Sequence, residues 1–160
     1  MKLRTRGGFR VGRLERAPTS TEARRIVRPS HLPLRAATGA FILNSGLGKR
    51  ALPAENAAEL QGMAANAFPF VGRWDPGTFG KALCAAEIGI GAALLAPFVP
   101  SFVAGAALTA FGGGMMTMYW RTPGMHENGS PRPTQDGIPL AKDSWLLGAG
   151  LTLMLESKRR

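Results

Sequence analysis

The stretch ALCAAEIGIGAALLAPFVPSFVAGAALTAFGGGMMTMYW, residues 82–120, decides the fold, because its 39 residues include a single charge, Glu87. One helix of that length would far exceed the thickness of a membrane. Two prolines in APFVPS (96–101) also interrupt it near the middle. We therefore predict two membrane-spanning helices, near 79–98 and 102–120, joined by a tight turn as a helical hairpin.

The first predicted span precedes this hairpin. The uncharged run AATGAFILNSGLG (36–48) lies between Arg35 and Lys49. With both cations extending their stems toward the two membrane interfaces, a helix near 35–52 reaches the lower length limit for crossing a bilayer.

A last span and a surface helix complete the predicted fold. The apolar run SWLLGAGLTLML (144–155) predicts a span near 140–156. The Ala-rich stretch PAENAAELQGMAANAF (53–68), with acids near its start, favours a short interfacial helix. The predicted fold is all-α: a four-helix transmembrane bundle over 35–156, with a disordered basic N-terminal arm and a short interfacial helix after the first span.

A soluble helical bundle with a basic tail is the alternative to a membrane protein. Soluble helices separate apolar from polar faces, whereas 82–95 and 102–120 are apolar all round apart from Glu87. Glycine runs such as GIG (89–91) and GGG (112–114) would weaken helices in water. In lipid, helices tolerate glycine and use it for close packing. The membrane interpretation is therefore favoured.

The positive charge is concentrated before the first span. The chain has 20 Lys and Arg against 10 Asp and Glu, a net charge of +10, and residues 1–35 hold ten of these cations and two of the acids. A basic soluble domain would suggest a nucleic-acid binder, but we expect no nucleic-acid partner, because a basic segment beside a span keeps that segment cytoplasmic. We predict 1–34 to be a disordered cytoplasmic arm that meets anionic lipid, and 157–160 to be a basic cytoplasmic tail.

Three ionisable residues, Arg35, Lys49 and Glu87, are candidates for a polar site within the bundle, since an intramembrane charge is costly. We expect them to line a polar spot in its outer half, with Lys49 paired to Glu87. The alternatives are a protonated Glu87 hydrogen-bonded inside the bundle, and Arg35 and Lys49 as cations that only reach toward the interfaces. No residue is assigned a catalytic role.

Small and metal-binding residue types add further predictions. Four glycines are expected to bring helices into close contact: Gly39, Gly46, Gly91 and Gly112. The single cysteine, Cys84, is expected to be an inert packing residue. We predict no metal site, and His31 and His126 both lie outside the predicted spans, which argues against a bis-histidine haem within the bundle.

Three segments in order carry a family resemblance: RAATGAFILNSGLGK (35–49), AAEIGIGAALL (85–95) and KDSWLLGAGLTLML (142–155). Together they resemble the DoxX family of small bacterial membrane proteins, over roughly 34–156. The resemblance implies a four-helix membrane bundle and gives as family-pattern positions Arg35, Gly39, Gly46, Lys49 and Glu87. The long arginine-rich arm departs from the compact start that is usual in that family.

The resemblance also implies a location and a class of function. DoxX members are linked to quinone-connected sulfur oxidation and to membrane oxidoreductase complexes in redox stress. The chain is accordingly expected to be a multi-pass protein of the bacterial plasma membrane, with both termini cytoplasmic. It would be a non-haem subunit or quinone-side partner of a redox complex, at most an oxidoreductase subunit, with quinone as the implied cofactor. The alternative is a non-catalytic anchor or accessory protein whose arm binds anionic lipid or a partner.

Overall fold

A computed structural model describes residues 27–157, of which 76% are helical, with no strand in this range. The predicted arm up to residue 26, and the tail from residue 158, lie outside the described residues. The α-helices in chain order are α1 (Leu32–Gly48), α2 (Ala54–Ala67), α3 (Pro76–Leu95), α4 (Ser101–Arg121), α5 (Ile138–Lys142) and α6 (Ser144–Ser157). Short 3-10 helices cover Pro29–His31 and Pro69–Arg73.

The two helices predicted for 82–120 are α3 and α4, which are joined by a short turn but pack mainly against other helices. Asp75 starts α3, because its carboxylate accepts a hydrogen bond from the Thr78 amide at 2.9 Å. The break falls at the predicted APFVPS segment, with α3 ending at Leu95 and α4 beginning at Ser101. Pro100 cannot donate a backbone hydrogen bond and occupies the N-cap of α4.

These two helices are the ones in the described range that are long and apolar enough to cross a membrane. Four spans were predicted, but α1 has 17 residues and α6 has 14, so both are shorter than a typical span. The stretch predicted as one last span, 140–156, is divided at Asp143 between α5 and α6. The interfacial-helix segment 53–68 does form a helix, α2.

The long helices pack as two antiparallel pairs, α1 with α3 and α4 with α6. All four predicted glycines lie at these contacts. A Cβ added at Gly91 would lie 2.6 Å from the Leu43 amide nitrogen, and one added at Gly112 would lie 2.7 Å from that of Leu147. Because these neighbours are backbone atoms, only glycine allows the observed approach. Gly105 and Gly150, which were not predicted, make equally close contacts between α4 and α6.

The main apolar core joins the two helix pairs. Its buried members include Ile42 of α1, Leu94 of α3, Leu108 of α4 and Leu153 of α6. A second apolar cluster fixes α2 and the 3-10 turn Pro69–Arg73 against α4. The carboxamide of Gln61 strengthens this attachment by donating to the carbonyls of Val71 and Trp74, each at 2.8 Å.

Candidate functional site

A cavity of about 420 Å³ lies where α2, α5 and the start of α6 meet the two helix pairs. Its walls are largely apolar and rich in Phe and Met, including Phe41, Phe79, Phe111, Met63, Met115 and Met118. Its charged lining residues are Lys49, Glu87, Asp136 and Asp143. Volume and lining are those of a site for a small organic molecule.

Lys49 and Glu87 form the ion pair that the sequence suggested. Lys49 Nζ lies 2.9 Å from Glu87 Oε2, and the Glu87 side chain is only 4% exposed. The same ammonium donates to the Ser45 hydroxyl at 2.8 Å and to the Ser45 carbonyl at 3.4 Å. Its three protons therefore have three acceptors within the protein. Gly46 permits the pairing, since an added Cβ there would lie 2.9 Å from Glu87 Cβ.

Cys84 packs in the same helix contact. Its thiol is buried and lies 3.2 Å from the Gly46 carbonyl oxygen, to which it donates. The position is that of a packing residue, in line with the role expected from the sequence.

Asp143 is a member of this site that the sequence reasoning missed. In the sequence, Asp143 comes just before the last apolar run, a position that predicts the start of a helix at the membrane interface. In the structure it lines the cavity, beside Lys49 and Glu87. Asp143 is partly buried, and its carboxylate interacts electrostatically with the Glu87 carboxylate and the Lys49 ammonium. Its carboxylate makes no hydrogen bond to another residue of the range 27–157.

A signal for Asp143 existed in the sequence. The antiparallel order of the helices places the start of the last apolar run at the same end of the bundle as Lys49, which ends the first. An acid at that position could therefore have been placed at the same level of the bundle as Lys49. Asp136, in the preceding loop, offers no comparable signal, because it lies in a polar Pro/Gly-rich segment with no periodicity.

Arg35 lies away from the cavity, contrary to the expected polar spot of three residues. It precedes Lys49 by 14 residues on α1, which is about 21 Å along the axis. Arg35 is only 2% exposed, and its guanidinium donates to five oxygens. These are the carbonyls of Ala93, Leu94, Ala96 and Val99 and the hydroxyl of Ser101, at 2.8–3.1 Å.

The position of Arg35 follows from the chemistry of the turn between α3 and α4. The last carbonyls of a helix lack intrahelical donors. Pro97 and Pro100 have no N–H to offer them. A guanidinium has five N–H groups and can satisfy all five oxygens. Arg35 therefore closes the end of α3 from inside the bundle.

A second polar contact lies at the Arg35 end. His31 Nε2 and Glu156 Oε2 are 3.0 Å apart, which joins the start of α1 to the end of α6. His31 is buried and ends the 3-10 helix Pro29–His31, directly before α1. His126 lies in the 122–137 loop, beside the rings of Tyr119 and Trp120.

No group of three or more His, Cys, Asp and Glu side chains within residues 27–157 could hold a metal ion. Comparisons of the chain with models of known families, with curated proteins and with solved structures find no match. The resemblance to the DoxX family therefore stays a prediction that rests on the three motifs.

Proposed function

We propose that the protein is a DoxX-like multi-pass protein of the bacterial plasma membrane, in which α1, α3, α4 and α6 cross the bilayer and both termini are cytoplasmic. The apolar windows of α3 and α4 are only 28% and 33% buried, which supports a membrane crossing by these two helices. In a soluble core, helices of this composition would be mostly buried. The last span would gain length from α5, since α5 and α6 follow each other with Asp143 between them.

The distribution of tryptophan supports the same topology. Trp74 precedes α3, Trp120 ends α4 and Trp145 begins α6, and all three are exposed. The antiparallel helices bring these three positions to one end of the bundle, as an aromatic belt at a membrane interface requires. The basic arm precedes the opposite end.

Alkaline carbonate extraction of the membranes tests whether the protein is integral to the bilayer. We expect the protein to stay with the membranes. Release into the supernatant would contradict an integral membrane protein.

We further propose that the cavity binds the head group of a quinone, and that the protein is a non-haem subunit or quinone-side partner of a membrane redox complex. The observation that carries this is an apolar cavity of about 420 Å³ that holds Glu87, Lys49 and Asp143. Its Phe and Met side chains suit an aromatic ring, and methionine adapts readily to ligand shape.

The ionisable residues of the cavity have chemistry that fits such a ligand. A bound quinone supplies two-electron carrier chemistry that takes up or releases protons. Glu87 is held against Lys49 at 2.9 Å, so this pair fixes one carboxylate at the wall. Asp143 lines the cavity, and its carboxylate makes no hydrogen bond within residues 27–157, so it can accept a hydrogen bond or a proton from a ligand.

Quinone binding to the full chain in mild detergent tests this function. Ala64 of α2 lines the cavity, so Ala64→Leu fills part of it, while Ala58→Leu makes the same change on the exposed face of that helix. We expect a short-tailed quinone to bind the wild type and Ala58→Leu alike, and Ala64→Leu at least about tenfold more weakly. Equal binding to both variants would contradict a quinone in this cavity.

The alternative function is that of a non-catalytic accessory protein that acts through its basic arm. The concentration of ten cations in residues 1–35 favours it. Replacing the arm arginines by glutamine would then remove partners that co-purify in mild detergent, while Ala64→Leu would keep them. Retention of the same partners by the arm variant would argue against this alternative.

A further inference from the structure

We propose that the ligand of the cavity presents a hydrogen-bond donor, a ring hydroxyl or an ammonium group, to the carboxylate of Asp143. This inference rests on the proposal that the cavity binds a small molecule, and it names the chemistry by which that molecule is held. It follows from the donors and acceptors that the bundle leaves unused at the cavity wall.

Nearly all side-chain hydrogen-bond donors of the cavity wall already have acceptors within the protein. Lys49 is the one cation among the described lining residues, and its three protons go to Glu87 and to two oxygens of Ser45. The remaining side-chain donor of the lining is the Ser45 hydroxyl, because the other lining side chains are apolar or carboxylates. A ligand that offers only acceptors would thus find one weak partner.

The cavity wall has more carboxylate acceptors than it has cations to pair with them. Glu87, Asp136 and Asp143 face a single cation, Lys49, and the short contact of Lys49 is made with Glu87. Asp143 is left with no hydrogen bond or ion pair to another residue of 27–157. A partly buried carboxylate without a partner is costly, and a donor or a cation on the ligand removes that cost.

The apolar lining determines the chemistry of the rest of the ligand. Phe41, Phe79 and Phe111 surround an aromatic or aliphatic body, and aromatic faces also attract an ammonium group. Two kinds of molecule share this chemistry: the reduced, hydroxyl-bearing form of a quinone, and an apolar organic amine. An oxidised quinone, whose ring oxygens only accept hydrogen bonds, lacks the required donor.

Binding of matched probes to the purified full chain tests the inference. The probes are a short-tailed benzoquinone, its hydroquinone, and a primary ammonium on the same carbon skeleton, measured by calorimetry without oxygen. The titrations are run at about pH 8, far above the ordinary pKa of an aspartic acid. We expect the hydroquinone or the ammonium to bind at least about tenfold tighter than the quinone.

Two variants assign that preference to Asp143. Asp143→Asn removes the charge at nearly constant volume, and we expect it to reduce the preference to less than about threefold. Glu127→Gln is the matched control, because it removes one exposed carboxylate from the neighbouring loop, outside the cavity lining. This control is expected to keep the wild-type preference.

The outcomes separate this inference from the proposed quinone function. A tighter hydroquinone identifies a reduced quinone as the source of the donor, and a tighter ammonium identifies an amine. If the quinone binds wild type as tightly as both donors, or if the preference survives in Asp143→Asn, the donor inference fails while quinone binding stands. If no probe binds, both proposals fail.

Discussion

Replacing Gly91 by alanine should separate α1 from α3. The new Cβ would lie 2.6 Å from the amide nitrogen and 2.8 Å from the Cα of Leu43, both backbone atoms. Ordinary contacts between such atoms are about 3.5–4.0 Å. The helices must therefore move apart by roughly 1 Å, and overpacking of this kind costs about 1–3 kcal/mol.

Gly89 provides a matched control two residues away on α3. A Cβ at Gly89 meets no atom within 4 Å, so Gly89→Ala receives the gain in helix propensity, about 1 kcal/mol, without the collision. Gly91→Ala receives the same gain, so the difference between the two variants isolates the packing cost. We expect Gly91→Ala to be less stable than Gly89→Ala by about 1–3 kcal/mol. Equal stabilities would refute the close approach of α1 to α3.

The assay is unfolding of the full chain in detergent micelles with increasing dodecyl sulfate, followed by circular dichroism. Gly91→Ala should unfold at lower dodecyl sulfate than the wild type or at the same concentration, and Gly89→Ala at the same or a higher one. If the circular dichroism and tryptophan fluorescence curves coincide, the transition can be analysed as two-state and gives a free energy of unfolding.

Three further predictions concern the charged residues, measured in the same assay. Arg35→Lys should lower the free energy of unfolding by about 2–4 kcal/mol, since an ammonium reaches at most three of the five oxygens; an unchanged value would contradict the capping role. A cycle of Lys49→Met, Glu87→Gln and their double variant should give a coupling of about 1–3 kcal/mol, whereas additive effects would mean that the 2.9 Å pair contributes nothing. Asp143→Asn should leave the free energy of unfolding unchanged or raise it, because the Asp143 carboxylate makes no hydrogen bond to another residue of 27–157; a loss of more than about 1 kcal/mol would contradict this.

Single residues of the sequence predicted the parts of the fold that depend on local chemistry. The two prolines of 96–101 fixed the position of the break, because proline neither donates a backbone hydrogen bond nor continues a helix. The glycines at positions 39, 46, 91 and 112 could be assigned to contacts because only glycine lets two helix backbones approach this closely. Both signals belong to single residues and do not depend on the rest of the fold.

The predictions that failed needed the relative placement of distant residues. Arg35 and Lys49 fall on similar faces of α1, so periodicity grouped them, but they lie about 21 Å apart along the helix. The partners of Arg35 are mainly carbonyl groups, and a sequence shows no signal for an unpaired carbonyl. Asp143 was missed for a related reason, since its neighbours in the cavity come from α1 and α3.

The cations near the two ends of α1 are chemically suited to different tasks, which explains why one end of the helix has arginine and the other lysine. At Arg35 the partners are five neutral oxygens spread around a helix end, and only the fork of a guanidinium offers five donors. At Lys49 the partners are one carboxylate and two oxygens of Ser45, which match the three protons of an ammonium. An arginine at position 49 would bring two donors more than the three contacts that Lys49 makes. It would thereby supply the cavity with the donors that it now lacks, and reverse the preference that we infer for Asp143 and its ligand.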